Sequence, residues 1–221
     1  MTSALPTIVH HVDDATLMSY AAGSLPGSLS AVVATHLAVC SHCRTELKQM
    51  ECIGSVVMGG LAGAPLSHGV PRSPPRVERE AVDEGAEVLA AVENSGDVPA
   101  PLSRLVGSDL SSIRWKRLGI GIWHLPLSTN GKGDLRLIKA APGQILPDHG
   151  HGGSELTLVL AGSYRDQIGR FGVGDIADLD TEVEHSPVAD PETGCICVIA
   201  SDEKARFKGV FARLVQPFTG M

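Results

Sequence analysis

The 221-residue sequence predicts an α + β chain of two domains, an N-terminal helical bundle followed by a C-terminal antiparallel β-barrel. Three observations carry that expectation. Helix punctuation and apolar spacing dominate up to about Met58, whereas beyond Ser111 the chain breaks into short β-like runs separated by turn residues. The stretches 59–75 and 94–101 are dense in glycine and proline, a composition that continues neither helix nor strand. Each half also carries its own cluster of metal-ligand residue types, His36-x3-Cys40-x2-Cys43 in the first and Gly143-x5-His149-x-His151-x3-Glu155-x6-Gly162 in the second.

The elements follow in order. Asp13 or Asp14 can cap a helix that runs toward Gly23. Pro26 can open a second helix through Ala31, Val32 and Val33 to Leu37, because a proline belongs in a first turn. A third helix starts near Ser41 and runs through Leu47, Met50 and Ile53. After the first Gly/Pro-rich connection, Arg76 to Glu93 resumes a helical pattern with Val82, Val88, Leu89 and Val92 on one stripe. Beyond it the expected strands are Ile113 to Leu118, Ile120 to Leu125, Leu135 to Ala140, Leu156 to Leu160, Tyr164 to Ile168 and Gly194 to Ala200. Regularly spaced short strands suit a sandwich or small barrel. The expected division is a helical domain over 1–93, a linker over 94–106 and a β domain over 107–221.

Composition narrows the function classes. With 18 Lys and Arg against 25 Asp and Glu, the net charge of −7 argues against a sequence-independent grip on nucleic acid or an anionic membrane. No stretch approaches the length of apolar chain that spans a bilayer, and the start of the chain lacks a basic flank followed by an apolar core. The expected location is the cytoplasm. Five cysteines, an odd number with two in C-x-x-C beside histidine, suit metal ligation better than a disulfide framework.

In the first cluster, His36 and Cys40 are four apart and on a helix share one face, with Cys43 one turn further along or just inside the next helix. Zinc needs a fourth ligand; His11, just before the first helix, can reach it, and His10 and His42 are rivals. The alternatives are that Cys40 and Cys43 are small core residues or a thiol redox pair, the latter needing a βαβ context that is absent. In the second cluster, His149 and His151 alternate by two, so a strand points both to one side, with Glu155 on the next strand. Cys195 and Cys197 should likewise share one strand face, as packing residues or as oxidant targets. Cys52 is expected to pack, Trp115, Trp123 and His124 to build the barrel wall, and His68 to lie in the linker.

The early His11 with His36, Cys40 and Cys43 resembles the pattern of the zinc-binding anti-sigma factors of bacteria over roughly the first 60 residues. Val32-Val33-Ala34-Thr35-His36-Leu37 and His10-His11-Val12 look like the ChrR-like branch, whose C-terminal domain is cupin-like. The second cluster is similar to the first cupin motif at every position. Gly174-Asp175 resembles the turn of the second cupin motif, and His185 can supply a fourth ligand there, although the insertion before it is long and Ala189 stands where that motif has Asn. The resemblance implies a Zn2+ at His11, His36, Cys40 and Cys43, and a Zn2+ or another divalent transition metal at His149, His151, Glu155 and His185. It implies a non-enzymatic anti-sigma factor in a 1:1 complex with an extracytoplasmic-function sigma factor, released by a singlet-oxygen-type signal sensed by the cupin. No catalytic or organic-cofactor residue is expected. Other readings are a metal-dependent, dioxygenase-like cupin enzyme with an accessory zinc domain, and a zinc-stapled adaptor. The helix over Arg76 to Glu93 is the expected partner surface, since two Pro/Gly-rich connections leave its apolar stripe little else to bury against.

Overall fold

The computed structural model describes residues 7–65, 96–127, 133–147, 149, 150, 152–181, 183–203, 206 and 207. The helix expected over Arg76 to Glu93 lies outside the described residues, as do His68 and His151.

Three helices open the chain where the caps place them. α1 (Asp14–Ala21) follows an extended Asp13 and buries Leu17. Gly23 then takes the positive φ of 69° that turns the chain toward α2 (Gly27–Val39). α2 is apolar nearly all round, and a helix of that kind must be covered on more than one side. It is: Leu29, Val32, Val33 and Leu37 are buried between the other helices and the sheet. Each such side chain contributes roughly 1.5–3 kcal/mol by leaving water. α3 (Ser41–Gly59) begins after a single extended residue, Cys40, which ends one helix and caps the next. Only Cys43 of α3 is fully buried, and Cys52 is exposed, which corrects the expectation that it packs.

Residues 94–101 were expected only to break the chain, yet α4 (Ala100–Val106) begins inside that stretch. Pro99 caps it and Pro101 sits in its first turn, where a proline's fixed φ suits the helix and its missing N–H costs nothing. Leu102 anchors α4 against α2. A short 3-10 turn, Leu110–Ser112, then leads into the sheet.

The strands are β1 (Lys116–Gly119), β2 (Ile122–Pro126), β3 (Asp134–Ala140), β4 (His149–Gly150), β5 (Glu155–Gly162), β6 (Tyr164–Arg165), β7 (Arg170–Phe171), β8 (Ile176–Leu179), β9 (Glu184–His185), β10 (Val188–Ala189), β11 (Cys195–Ser201) and β12 (Arg206–Phe207). Every pairing among the described residues is antiparallel. The main sheet runs β1-β2-β3-β11-β5-β8, and two three-stranded sheets run β10-β6-β7 and β12-β4-β9. The six expected runs correspond to β1, β2, β3, β5, β6 and β11; the other strands are two to four residues long, too short for a period-two pattern to show.

Alternation along the long strands separates two cores. Leu135, Leu137, Leu156, Leu158, Leu160, Val198 and Ala200 face α2 and join the core of the helices. Ala140, Val159, Cys195 and Cys197 face the other way, toward Tyr164, Phe171 and Ala189. One apolar core thus belongs to both halves of the chain.

Candidate metal centre

His11, His36, Cys40 and Cys43 converge from three places in the chain: the segment before α1, the last turn of α2, and the break and first turn of α3. One ligand atom from each lies within 4.8 Å of all the others. His36 Nε2 is 3.3 Å from Cys43 Sγ, and His11 Nδ1 is 3.3 Å from Cys40 Sγ. Tetrahedral zinc with ordinary Zn–N and Zn–S bonds holds its ligand atoms about 3.3–3.8 Å apart, so these two pairs lie at that spacing and the whole quartet close to it. The N–H of Cys43 donates to Cys40 Sγ at 3.4 Å, fastening the sulfur over the start of α3.

The chemistry of the four groups agrees with their spacing. Burial holds the His36 imidazole neutral by pulling its pKa down to about 4. Its Nδ1–H donates to the Gly174 carbonyl at 3.0 Å, which leaves the lone pair on Nε2, the nitrogen facing the sulfurs. Burial pushes the Cys43 thiol up to about 12, so a cation is what would make that sulfur an anion at neutral pH. Burial also lowers the His11 pKa, aided by the neighbouring His42. A tetrahedral ion held by these four groups would have every position filled by a side chain, as in a structural rather than a catalytic site.

The two rivals for the fourth position lie elsewhere. The His42 ring packs on the outside of His11, centroids 4.3 Å apart, and the His10 ring lies 4.2 Å from that of Phe171.

In the sheet half, Glu155 and His185 are buried and line one cavity of about 50 Å³ with Thr157, Tyr164, Cys195 and Cys197. His149 lies in β4 directly opposite His185 in β9. Sequence reasoning missed Asp166, whose carboxylate accepts from His185 Nδ1 at 2.9 Å and turns Nε2 into the ring's acceptor. Burial alone would raise the Asp166 pKa, but His185 and the N–H groups of Ile168 and Gly169 outweigh it and hold the carboxyl low. The only available signal was the turn composition Asp166-x-x-Gly169, common in any loop. Cys195 and Cys197 project side by side into the same cavity with sulfurs 3.3 Å apart; the Cys195 contact and burial together keep the Cys197 thiol protonated.

Helices built around a buried His/Cys quartet, packed on an antiparallel sheet with a histidine- and glutamate-bearing cavity, define the class of proteins that join a small helical module to a cupin-like domain. Known proteins narrow the class. The family described as ChrR Cupin-like domain matches residues 104–205. Anti-sigma-E factor ChrR of Cereibacter sphaeroides is 42% identical over 217 residues, which cover 96% of this chain and 98% of that one. The crystal structure of Rhodobacter sphaeroides SigE in complex with the anti-sigma ChrR matches with a TM-score of 0.71 at 42% identity, covering 89% of this chain and 100% of that chain. The chain belongs to the ChrR family of anti-sigma factors. Its relative is a regulatory protein rather than an enzyme.

Proposed function

We infer that this protein is an anti-sigma factor that holds an extracytoplasmic-function sigma factor in a 1:1 complex and releases it on an oxidative signal. The observation that carries the reading is the match to ChrR along nearly the whole chain, together with that protein's crystal complex with SigE. An exposed apolar surface supports it. On the second half of α3 and just beyond, Val56 is 75% exposed, Met58 69% and Leu61 63%, with Ile53 and Val57 beside them. Several large apolar side chains exposed together at one helix end favour a place where another protein sits. Residues 1–93 form the clamp, 94–106 the connection and 107–221 the sensor, and the apolar stripe of Arg76 to Glu93 also binds the partner.

Zinc at His11, His36, Cys40 and Cys43 staples the clamp. Structural zinc contributes folding energy of order ~10–16 kcal/mol in small peptides, which a helical module with little core of its own needs. His149, His151, Glu155 and His185 hold a second divalent transition metal, and a ligand set of three imidazoles and one carboxylate suits zinc, iron, manganese or nickel alike. Singlet oxygen or a related oxidant is the signal read there; imidazoles and thiols are the side chains it attacks most readily. On this reading the complex works in the cytoplasm, and this chain, with a net charge of −7, adds no sequence-independent grip on DNA or an anionic membrane; no helix among the described residues is long and apolar enough to cross a membrane.

The test is co-purification with a co-expressed extracytoplasmic-function sigma factor, with metal analysis of the complex. A stable 1:1 complex that blocks transcription in vitro and carries zinc is the expected result. Absence of any such complex across the sigma factors of the same genome defeats the reading.

A further inference from the structure

Two of the four residues at the N-terminal centre are held by the opposite half of the molecule. The turn between β7 and β8, residues 172–175, reaches across to them. The carbonyl of Gly174 accepts from His36 Nδ1 at 3.0 Å, and His36 is fully buried at that contact. Asp175, only 4% exposed, accepts at Oδ1 from the N–H of Val9 at 2.7 Å and of His10 at 3.0 Å. Its other oxygen accepts from the N–H of Gly172 at 2.8 Å, which locks the carboxylate to its own turn.

The segment carrying His11 is laid along the edge of the sheet by further bonds. The Ile176 N–H donates to the His10 carbonyl at 3.3 Å, and the Asp13 N–H donates to Asp178 at 3.1 Å. β8 is the last strand of the main sheet, so residues 9–13 cover an edge that would otherwise be open. No room is left between the halves here: with φ at 88°, a Cβ at Gly174 would come within 2.9 Å of the Ile8 side chain.

We propose that the Gly172–Asp175 turn of the cupin-like half is the outer shell of the N-terminal metal site, with Gly174 and Asp175 as positioning residues for His36 and His11. The hydrogen bond to Gly174 sets the tautomer and ring angle of His36. Asp175 fixes the backbone immediately before His11, and so the place from which its ring reaches the sulfurs. Partners of this kind typically govern metal affinity by about 10–100-fold. Retention of the clamp's metal thereby depends on the sheet being docked, and a shift of the β7–β8 turn reaches the clamp with no further relay.

The inference rests on reading His11, His36, Cys40 and Cys43 as a zinc site, and the experiment separates the two claims. The full chain is loaded with zinc, and the rate of transfer to a chromogenic chelator is measured for wild type, Asp175→Ala, Asp175→Asn, Gly174→Ala and, as a surface control, Glu192→Gln. A parallel set is loaded with Co2+ and its thiolate-to-cobalt charge-transfer bands, which only the cysteine-bearing centre gives, are recorded. Asp175→Ala and Gly174→Ala are expected to lose zinc about 10–100-fold faster and to shift the cobalt bands. Asp175→Asn keeps one oxygen for Val9 and His10 and is expected to fall between them and wild type; it also serves if the alanine variant does not fold. Glu192→Gln should match wild type. If wild type retains no zinc, the site reading and the inference fall together. If wild type retains it and the variants lose it within twofold of the wild-type rate, with unchanged cobalt bands, the site stands and the inference is overturned. Lower melting temperatures without faster zinc loss would likewise overturn it, making Asp175 a docking residue only.

Discussion

His36 on α2 and Gly174 in the sheet half are 138 residues apart in the chain and joined by a 3.0 Å hydrogen bond from imidazole to carbonyl. The same imidazole turns its other nitrogen to Cys43 Sγ at 3.3 Å. One ring therefore ties the His/Cys quartet to the cupin-like domain.

His36→Ala should abolish zinc binding at the N-terminal centre and reduce helical circular dichroism, because it removes one of four groups there and leaves two sulfurs without a full set. His42→Ala should keep a full equivalent of zinc, since that ring packs outside His11 rather than among the ligand atoms. Metal content of the two purified variants decides the matter. Equal loss in both would move His42 into the ligand set.

Metal-free protein should lose stability as pH falls from about 6.5 toward 4. The sign follows from linkage: His36 is ordinarily protonated near 6.5 but only near 4 in the folded chain, so the unfolded state binds the extra proton first. The full penalty is roughly 3 kcal/mol by the energy equivalent of the shift. Zinc uptake should release a proton from Cys43, whose thiol stays protonated up to about 12 without the ion, and none from His36 at pH 7. Urea melts across pH and proton release in lightly buffered titrations check both parts.

Val56→Asp and Met58→Asp should leave the melting temperature nearly unchanged, because both side chains already face water. They should weaken sigma-factor binding at least tenfold, measured by titration calorimetry. Leu29→Ala, by contrast, opens a cavity in the core shared by helices and sheet and should cost roughly 2–5 kcal/mol of stability.

If the proposed cupin site takes up a divalent metal, Asp166→Ala should loosen His185 and weaken that metal's affinity by about 10–100-fold. Sigma-factor inhibition should persist in the dark, while release under a photosensitiser should be lost in this variant as in His149→Ala, His151→Ala, Glu155→Ala and His185→Ala. Dissociation followed by fluorescence anisotropy gives the comparison. Unchanged release in all five would direct attention to Cys40 and Cys43 as the oxidant target.

Local chemistry was legible in the sequence. Capping residues and Pro26 marked α1 to α3 nearly to their ends, and the His36-x3-Cys40-x2-Cys43 spacing, folded about one extended residue, puts three ligand side chains within one or two turns of each other. The long strands β3, β5 and β11 were equally readable, since seven or eight residues suffice to display a period of two. Spacing alone could not choose among His10, His11 and His42, because three neighbouring imidazoles look alike until the backbone is placed.

Legible features are therefore those that depend on near neighbours: helix ends, strand alternation and the clustering of ligands within one or two turns. Tertiary structure alone decided that α2 is buried against the sheet as well as against helices, that Asp166 orients His185, and that Gly174 and Asp175 hold the segment and ring of the N-terminal centre. The physical reason is the kind of group involved. Gly174 acts through a backbone carbonyl that every residue type possesses, and Asp175 binds backbone N–H groups more than 160 residues away, so neither contact leaves a mark in local composition.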